Sequence, residues 1–238
     1  MKRLFLGSIA LMLLAGCPSP STYGTPRTVK PGLLSHTVSI EVLGIAGTKA
    51  GSDALPTIPS YTLRIGLAPR VDMGFRAASF TSPAFDVKWN FLRTKYFDIA
   101  ADPGAQWFYD RANDVHYLYL NAPVMFGFNV RYDLTLVFVP AFALQATTRD
   151  TLQPCPNNMP AMPPCGSELT RLLGPTAPIA RAGFGVNWRL FRDFAVQPEI
   201  TVSRQIGGFD GWIVNGGIGV SFVHLPSFSD FNDEEDLY

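Results

Sequence analysis

Between residues 181 and 222 the sequence alternates apolar with polar positions three times in succession, and few folds accept that pattern. In the first run Ala182, Phe184, Val186, Trp188 and Leu190 fall on one side, and Arg181, Gly183, Gly185, Asn187 and Arg189 on the other. A tight turn at residues 191–193 follows, and then Phe194, Val196, Pro198, Ile200 and Val202 alternate with Ala195, Gln197, Glu199, Thr201 and Ser203. In the third run Trp212, Val214, Gly216, Ile218, Val220 and Phe222 oppose Ile213, Asn215, Gly217, Gly219 and Ser221. Side chains of an extended chain point alternately to opposite faces, so each run predicts a strand with one apolar face and one polar or glycine face.

The same period extends toward the amino end. Strands are predicted at residues 34–45, 61–67, 71–77, 85–91, 97–101 continuing to 106–109, 116–128 and 132–144. The run at 132–144 alternates weakly, because Val137, Val139, Ala141 and Ala143 make its second face apolar too. Short turns at 68–70, 92–95, 129–131 and 191–193 alternate with longer connections at 47–60, 79–83, 110–115, 145–178 and 205–211. This gives an all-β, antiparallel, up-and-down barrel of about ten strands, with eight and twelve as the alternatives, trimmed at one rim and elaborated at the other. In membrane barrels of bacteria the trimmed rim is periplasmic and the elaborated rim extracellular.

Alternation alone is equally compatible with a lipocalin-like barrel or a sandwich whose apolar faces meet inside. The aromatic residues favour a lipid-facing exterior. Phe91, Tyr96, Phe128, Tyr132, Trp188 and Phe191 sit at short-turn ends, and Phe85, Trp107, Tyr109, Phe142, Phe184 and Trp212 at loop ends, where two interfacial girdles would lie. Gly (21) and Pro (20) are abundant, yet 47% of residues are hydrophobic, which excludes a disordered chain. The octapeptide of residues 215–222, NGGIGVSF, resembles the carboxy-terminal assembly signal of outer-membrane β-barrels, although sixteen residues follow it. At the level of pattern the resemblance to small bacterial outer-membrane barrels covers residues 34–222. It implies insertion by the outer-membrane assembly machinery and contact with outer-membrane lipids.

Lys2 and Arg3, an apolar run over residues 4–14 and then Ala15-Gly16-Cys17 form a charged, a hydrophobic and a cleavage region of an export signal. Leu14-Ala15-Gly16-Cys17 resembles a bacterial lipobox, which implies that Cys17 is lipidated and begins the mature chain. The expected division is a lipoprotein signal peptide at 1–16, a lipidated flexible tether at 17–32, the barrel at 33–224 and an acidic disordered tail at 225–238. The tether and the carboxyl end are both expected on the periplasmic side. Without Lys2 and Arg3, the 19 basic residues fall to 17 against 19 acidic ones, so nothing marks a nucleic-acid binder.

Candidates for chemistry are few. Cys155 and Cys165 lie in one loop and are expected to form a disulfide in an oxidising compartment. A metal reading lacks both Cys-x-x-Cys spacing and a nearby His. His116 is placed at the elaborated rim, near Asp110 and Asp114 in sequence and with Ser79 and Ser82 in a neighbouring loop, which would suit a surface hydrolase. No family catalytic motif matches, so no enzyme activity and no cofactor are expected. Arg64, Asp72, Arg76, Asp86, Lys88, Asp98, Arg181, Arg189 and Glu199 fall on the polar face. They are read as the lumen lining, either as paired filling or as the selectivity lining of a narrow passive channel. The resulting expectation is an outer-membrane lipoprotein with a structural or surface-interaction role and an extracellular ligand. Metabolic labelling with a fatty acid is expected to mark the protein, and Cys17→Ser is expected to abolish the label; label persisting in the variant refutes the lipobox assignment.

Overall fold

A computed structural model describes residues 21–46, 54–56, 59–77, 82–110, 115–151, 170–206 and 211–226. The elements are β1 (Leu34–Ala46), β2 (Ala54–Pro56), β3 (Ser60–Ala68), β4 (Val71–Ala77), β5 (Pro83–Arg93), β6 (Phe97–Ala101), β7 (Gly104–Asp110), β8 (Val115–Arg131), β9 (Leu134–Thr151), β10 (Thr170–Phe191), β11 (Phe194–Gln205) and β12 (Trp212–Val223). Each pairs antiparallel with its neighbours, and β12 pairs with β1 from Ser35 opposite Val223 to Ala46 opposite Trp212. The sheet therefore closes on itself. β2 and β3 share one position beside β1, while β6 and β7 lie end to end between β5 and β8, so the twelve elements form a barrel of ten staves. The β6–β7 stave breaks at Pro103, which has no N–H to give to a ladder. Its carbonyl still accepts from the Val87 N–H at 3.0 Å.

The polarity of the wall is inverted relative to a soluble protein. Asp72, Lys88, Asn90, Asp98, Gln197, Glu199, Thr201 and Asn215 are buried inside, whereas Ile40, Val42, Leu120, Phe138, Ile200 and Ile218 are exposed outside. In water this arrangement would leave apolar surface solvated and would bury charge, both unfavourable. In a bilayer it is the arrangement that a spanning barrel needs. The lipocalin-like alternative requires the opposite placement and is excluded. Exposed aromatics gather toward the short-turn rim (Tyr96, Phe128, Tyr132, Trp188, Phe191) and toward the other rim (Phe85, Trp107, Phe142, Trp212).

Several local expectations are corrected. The turn expected at 129–131 lies at Tyr132 and Asp133, because β8 stays paired with β9 up to Arg131 opposite Leu134. The segment 145–178, expected as loop, contains strand to Thr151 and again from Thr170, with residues 152–169 outside the described residues. These extensions pair with each other from Ala146 opposite Pro175 outward to Thr151 opposite Thr170. Projecting beyond the rim, they need no apolar outer face, so they carry no period-two signal. The register shift between Pro175 and Pro178 absorbs the two prolines. The weak alternation of β9 also has a cause: Val137 and Val139 pack with Ala100 and Met125 in a small apolar cluster inside the barrel.

The largest correction concerns the tether. Residues 21–29 do not hang free but run inside the barrel, where Ser21, Tyr23, Thr25, Arg27 and Val29 are buried, and 30–32 lie exposed at its short-turn end against Gly66. Residues 17–20, the Cys155–Cys165 loop and the acidic tail beyond Pro226 lie outside the described residues. Closure makes one test direct. Thr37 Oγ1 and Ser221 Oγ are 2.8 Å apart across the β1–β12 seam, so Thr37→Cys with Ser221→Cys, in a chain whose Cys155 and Cys165 are serines, is expected to oxidise to a disulfide. A faster-migrating band on a non-reducing denaturing gel would report it.

Candidate functional site

Eight strands enclose about the space that inward side chains fill, so ten leave an excess that something must occupy. Glycines enlarge it locally. A Cβ on Gly66 would strike the carbonyl oxygen of Lys30, one on Gly217 the Tyr23 hydroxyl, one on Gly219 the Tyr23 ring at 2.8 Å and one on Gly127 the Pro26 ring at 2.9 Å. These inward positions are the groove that receives residues 21–32, here called the strap. The missing side chains at these positions make room for the backbone at Lys30 and for the Tyr23 and Pro26 side chains.

The strap is held at three stations, ordered from the long-loop side to the short-turn side. At the first, the Glu199 carboxylate accepts the backbone N–H of Thr22 and of Tyr23, each at 2.9 Å, and Gln197 Nε2 donates to it at 3.0 Å. Tyr23 adopts a positive φ of 44° where these adjacent N–H groups converge on Glu199. Ser21 lies beside Thr201 and Asn215, and its carbonyl accepts from Arg76 at 2.7 Å. Midway, Lys88 Nζ donates to the Thr25 carbonyl at 3.0 Å and Asn90 Nδ2 to that of Pro26 at 3.0 Å. At the turn side, Arg27 Nε donates to Asp98 at 2.8 Å and Arg27 Nη2 to the Thr94 carbonyl at 3.1 Å, while Val29 N–H donates to Asp72 at 2.9 Å.

Between the stations lies a shared charge cluster. The Arg64 guanidinium sits 2.8 Å from Asp72, 2.6 Å from Asp86 and 3.1 Å from Asp102, and Lys88 Nζ sits 3.5 Å from Asp72. Three carboxylates thus share two cations in a region removed from water. Arg76 and Arg181 face Asp86 and Asp102 across a cavity of ≈ 40 Å³ beside Ser21 and Thr22, room for about two or three waters. A second cavity of ≈ 30 Å³ lies between the strap and Leu225 and Pro226 at the turn-side mouth. There Arg189 Nη2 donates to the Pro226 carbonyl at 3.2 Å.

No protein-family model matches the sequence, and no curated protein matches it. Among solved structures, Neisserial surface protein A is similar over 79% of this chain and 96% of its own, with 10% identity and a TM-score of 0.40. The attachment invasion locus protein Ail of Yersinia pestis is similar over 81% and 98%, at 9% identity and TM-score 0.37. The outer membrane protease OmpT of Escherichia coli is similar over 82% and 98%, at 7% identity and TM-score 0.45. In fold the chain is a small outer-membrane-type β-barrel. That statement rests on its own closure and inverted polarity.

The nine charged residues of the polar face take up four kinds of position. They divide into the Arg64 cluster (with Asp72, Asp86 and Lys88), the strap stations at Asp98 and Glu199, the Arg76–Arg181 pair lining the cavity, and Arg189 at the mouth. The rim histidine is placed differently from its hydrolase reading. His116 stacks on Tyr109 at 4.6 Å and Trp107 at 5.6 Å between centroids, on the outer face, whereas Ser82 is fully buried inside and bonds Gln106 at 2.8 Å. The barrel wall separates His116 from Ser82, and no dyad forms between them. Ser79 and Asp114 lie outside the described residues.

Arg27, Asp102, Gln197 and Asn215 also belong to the site, and sequence reading missed them. The available signal was the set of inward glycines, which marks places where another segment approaches the wall closely. Removing one partner from a buried ion cluster strands the others and costs about 3 to 5 kcal/mol. Arg64→Met, which keeps the stem but leaves three carboxylates together, is therefore expected to lower the temperature at which the folded band is lost on a detergent gel. Lys95→Met, outside this cluster on a short turn, is expected to leave that temperature unchanged.

Proposed function

We propose that the protein is an outer-membrane β-barrel lipoprotein with a structural or surface-interaction role and no transport of bulk solute. The observation that carries the reading is the filled lumen: the strap occupies the bore, and its carbonyls and amides engage the wall from Glu199 to Asp72. The inverted polarity and the two aromatic girdles support residence in the outer membrane, in contact with its lipids. The signal-like octapeptide supports insertion by the assembly machinery, and the lipobox supports a lipid on Cys17. Contacts with an extracellular ligand fall to the long-loop rim, where β9 and β10 project past their neighbours. The sequence between them carries Cys155 and Cys165.

The charges also argue against a passive channel. A selectivity lining must expose charge to passing ions, whereas Asp72, Lys88 and Asp98 are each at most 1% exposed and committed to one another or to the strap. The rim-hydrolase reading gains nothing from the separation of His116 and Ser82. Purified protein in a planar bilayer is expected to show little steady conductance, with brief openings at most. Large, stable, ion-selective currents would replace this reading with the channel.

A further inference from the structure

The direction of the strap is fixed by its contacts. Ser21 lies at Thr201, Asn215 and Arg76, and Arg76 is one residue from the long-loop end of β4. Gly24 lies at Gln197, Pro26 at Asn90, Arg27 at Asp98 and the Thr94 carbonyl, and Val29 at Asp72, the second residue of β4. Gly32 bonds Gly66 at 2.9 Å, two residues from the turn-side end of β3. From Ser21 to Arg27 the contacts descend toward the short-turn rim, and the strap stays at that end through Gly32, where Leu34 opens β1 and the chain climbs again.

We infer that the strap enters the barrel from the long-loop mouth, so that the chain preceding Ser21, with Cys17, is displayed on the extracellular side and any lipid on Cys17 inserts in the outer leaflet. Reach decides between the two mouths. Three residues separate Cys17 from Ser21, and the four Cα-to-Cα steps, fully extended, span at most roughly 14 Å. Thr201, beside Ser21, is seven residues from the turn-side end of β11, roughly 23 Å along the strand and, with the usual barrel tilt, about 18 Å along the axis. The route down is also filled by residues 22–32 of the strap itself. Toward the loop rim only four residues of β11 remain above Thr201, about 10 Å along the axis. Cys17 can therefore reach the loop-side mouth and not the periplasmic one. A diacylglyceryl group there would emerge near the belt that contains Trp107 and Trp212, at the outer interface.

This placement reverses the periplasmic anchor expected from the order of segments alone. The position of the lipid rests on the lipidation proposed above; the direction of the strap does not. The test uses single cysteines in the full chain with Cys155 and Cys165 replaced by serine, and a membrane-impermeant maleimide on intact cells. Heat modifiability verifies that each variant is folded, and the chain retaining only Cys17 sets the background. Ser19→Cys is expected to label on intact cells at least tenfold above His224→Cys, which lies just past β12 at the turn rim and is expected to label only after the outer membrane is permeabilised. Labelling of Ser19→Cys only after permeabilisation, or under neither condition, overturns the inference, as does labelling of His224→Cys from outside. If fatty-acid label is absent from the wild type while Ser19→Cys still labels from outside, the lipid anchor falls and the direction of the strap stands.

Discussion

The structure depends first on the hydrogen-bonded seam between β1 and β12. In the hydrocarbon core no water is available to an unpaired N–H or C=O, so a sheet is stable there only when it has no edge. Twelve consecutive residue pairs, from Ser35–Val223 to Ala46–Trp212, remove that edge. Once the sheet is a closed cylinder, the outer face must match lipid and the inner face must satisfy itself. At ten staves it then has to accommodate more than its own side chains. The strap is the answer to a volume problem that closure creates.

Filling that volume with charge has a specific effect. Buried ion pairs contribute little net stability, because desolvation offsets most of their attraction; what they contribute is discrimination between arrangements. Glu199 accepts two consecutive amides, Asp72 accepts the Val29 amide while facing Arg64 and Lys88, and Asp98 takes the Arg27 fork together with Asn129 Nδ2 at 2.8 Å. A shift of the strap by one residue would break the strap's own bonds to all three carboxylates at once, leaving each only its partners in the wall. Apolar filling of equal volume would hold a peptide less selectively, since Val29 or Tyr23 could slide along an apolar wall at little cost.

The wall was legible in the sequence because its residues obey a single period imposed by the pleat. Runs such as Phe194 to Ser203 are recovered almost residue for residue in β11. The charged lumen positions were legible for the same reason, as Arg64, Asp72 and Glu199 fall on the face opposite Leu63, Val71 and Ile200. Where a segment does not separate lipid from lumen, the signal vanishes. Residues 146–151 and 170–175 pair beyond the rim, and Val139 faces an apolar spot inside, so neither reads as alternating. The strap was illegible because the barrel surrounds it on all sides. A segment surrounded on every side has no preferred face, and its prolines and threonines read as a linker. Its only trace lay in its hosts, in Gly66, Gly127, Gly217 and Gly219.

The strap precedes β1 in the chain and lies within the cylinder that β1 completes, which limits the paths by which it can leave. While the seam is open, the strap can enter sideways between β1 and β12. After closure it can move only lengthwise, past the fork of Asp98 and the carboxylate of Glu199. The seam therefore confines residues 21–32 sideways, and any exchange of the strap has to run along the barrel axis. Such a move would have to break the bonds at Asp98, Asp72 and Glu199 in succession, so the seam couples the retention of the strap to the integrity of the cylinder around it.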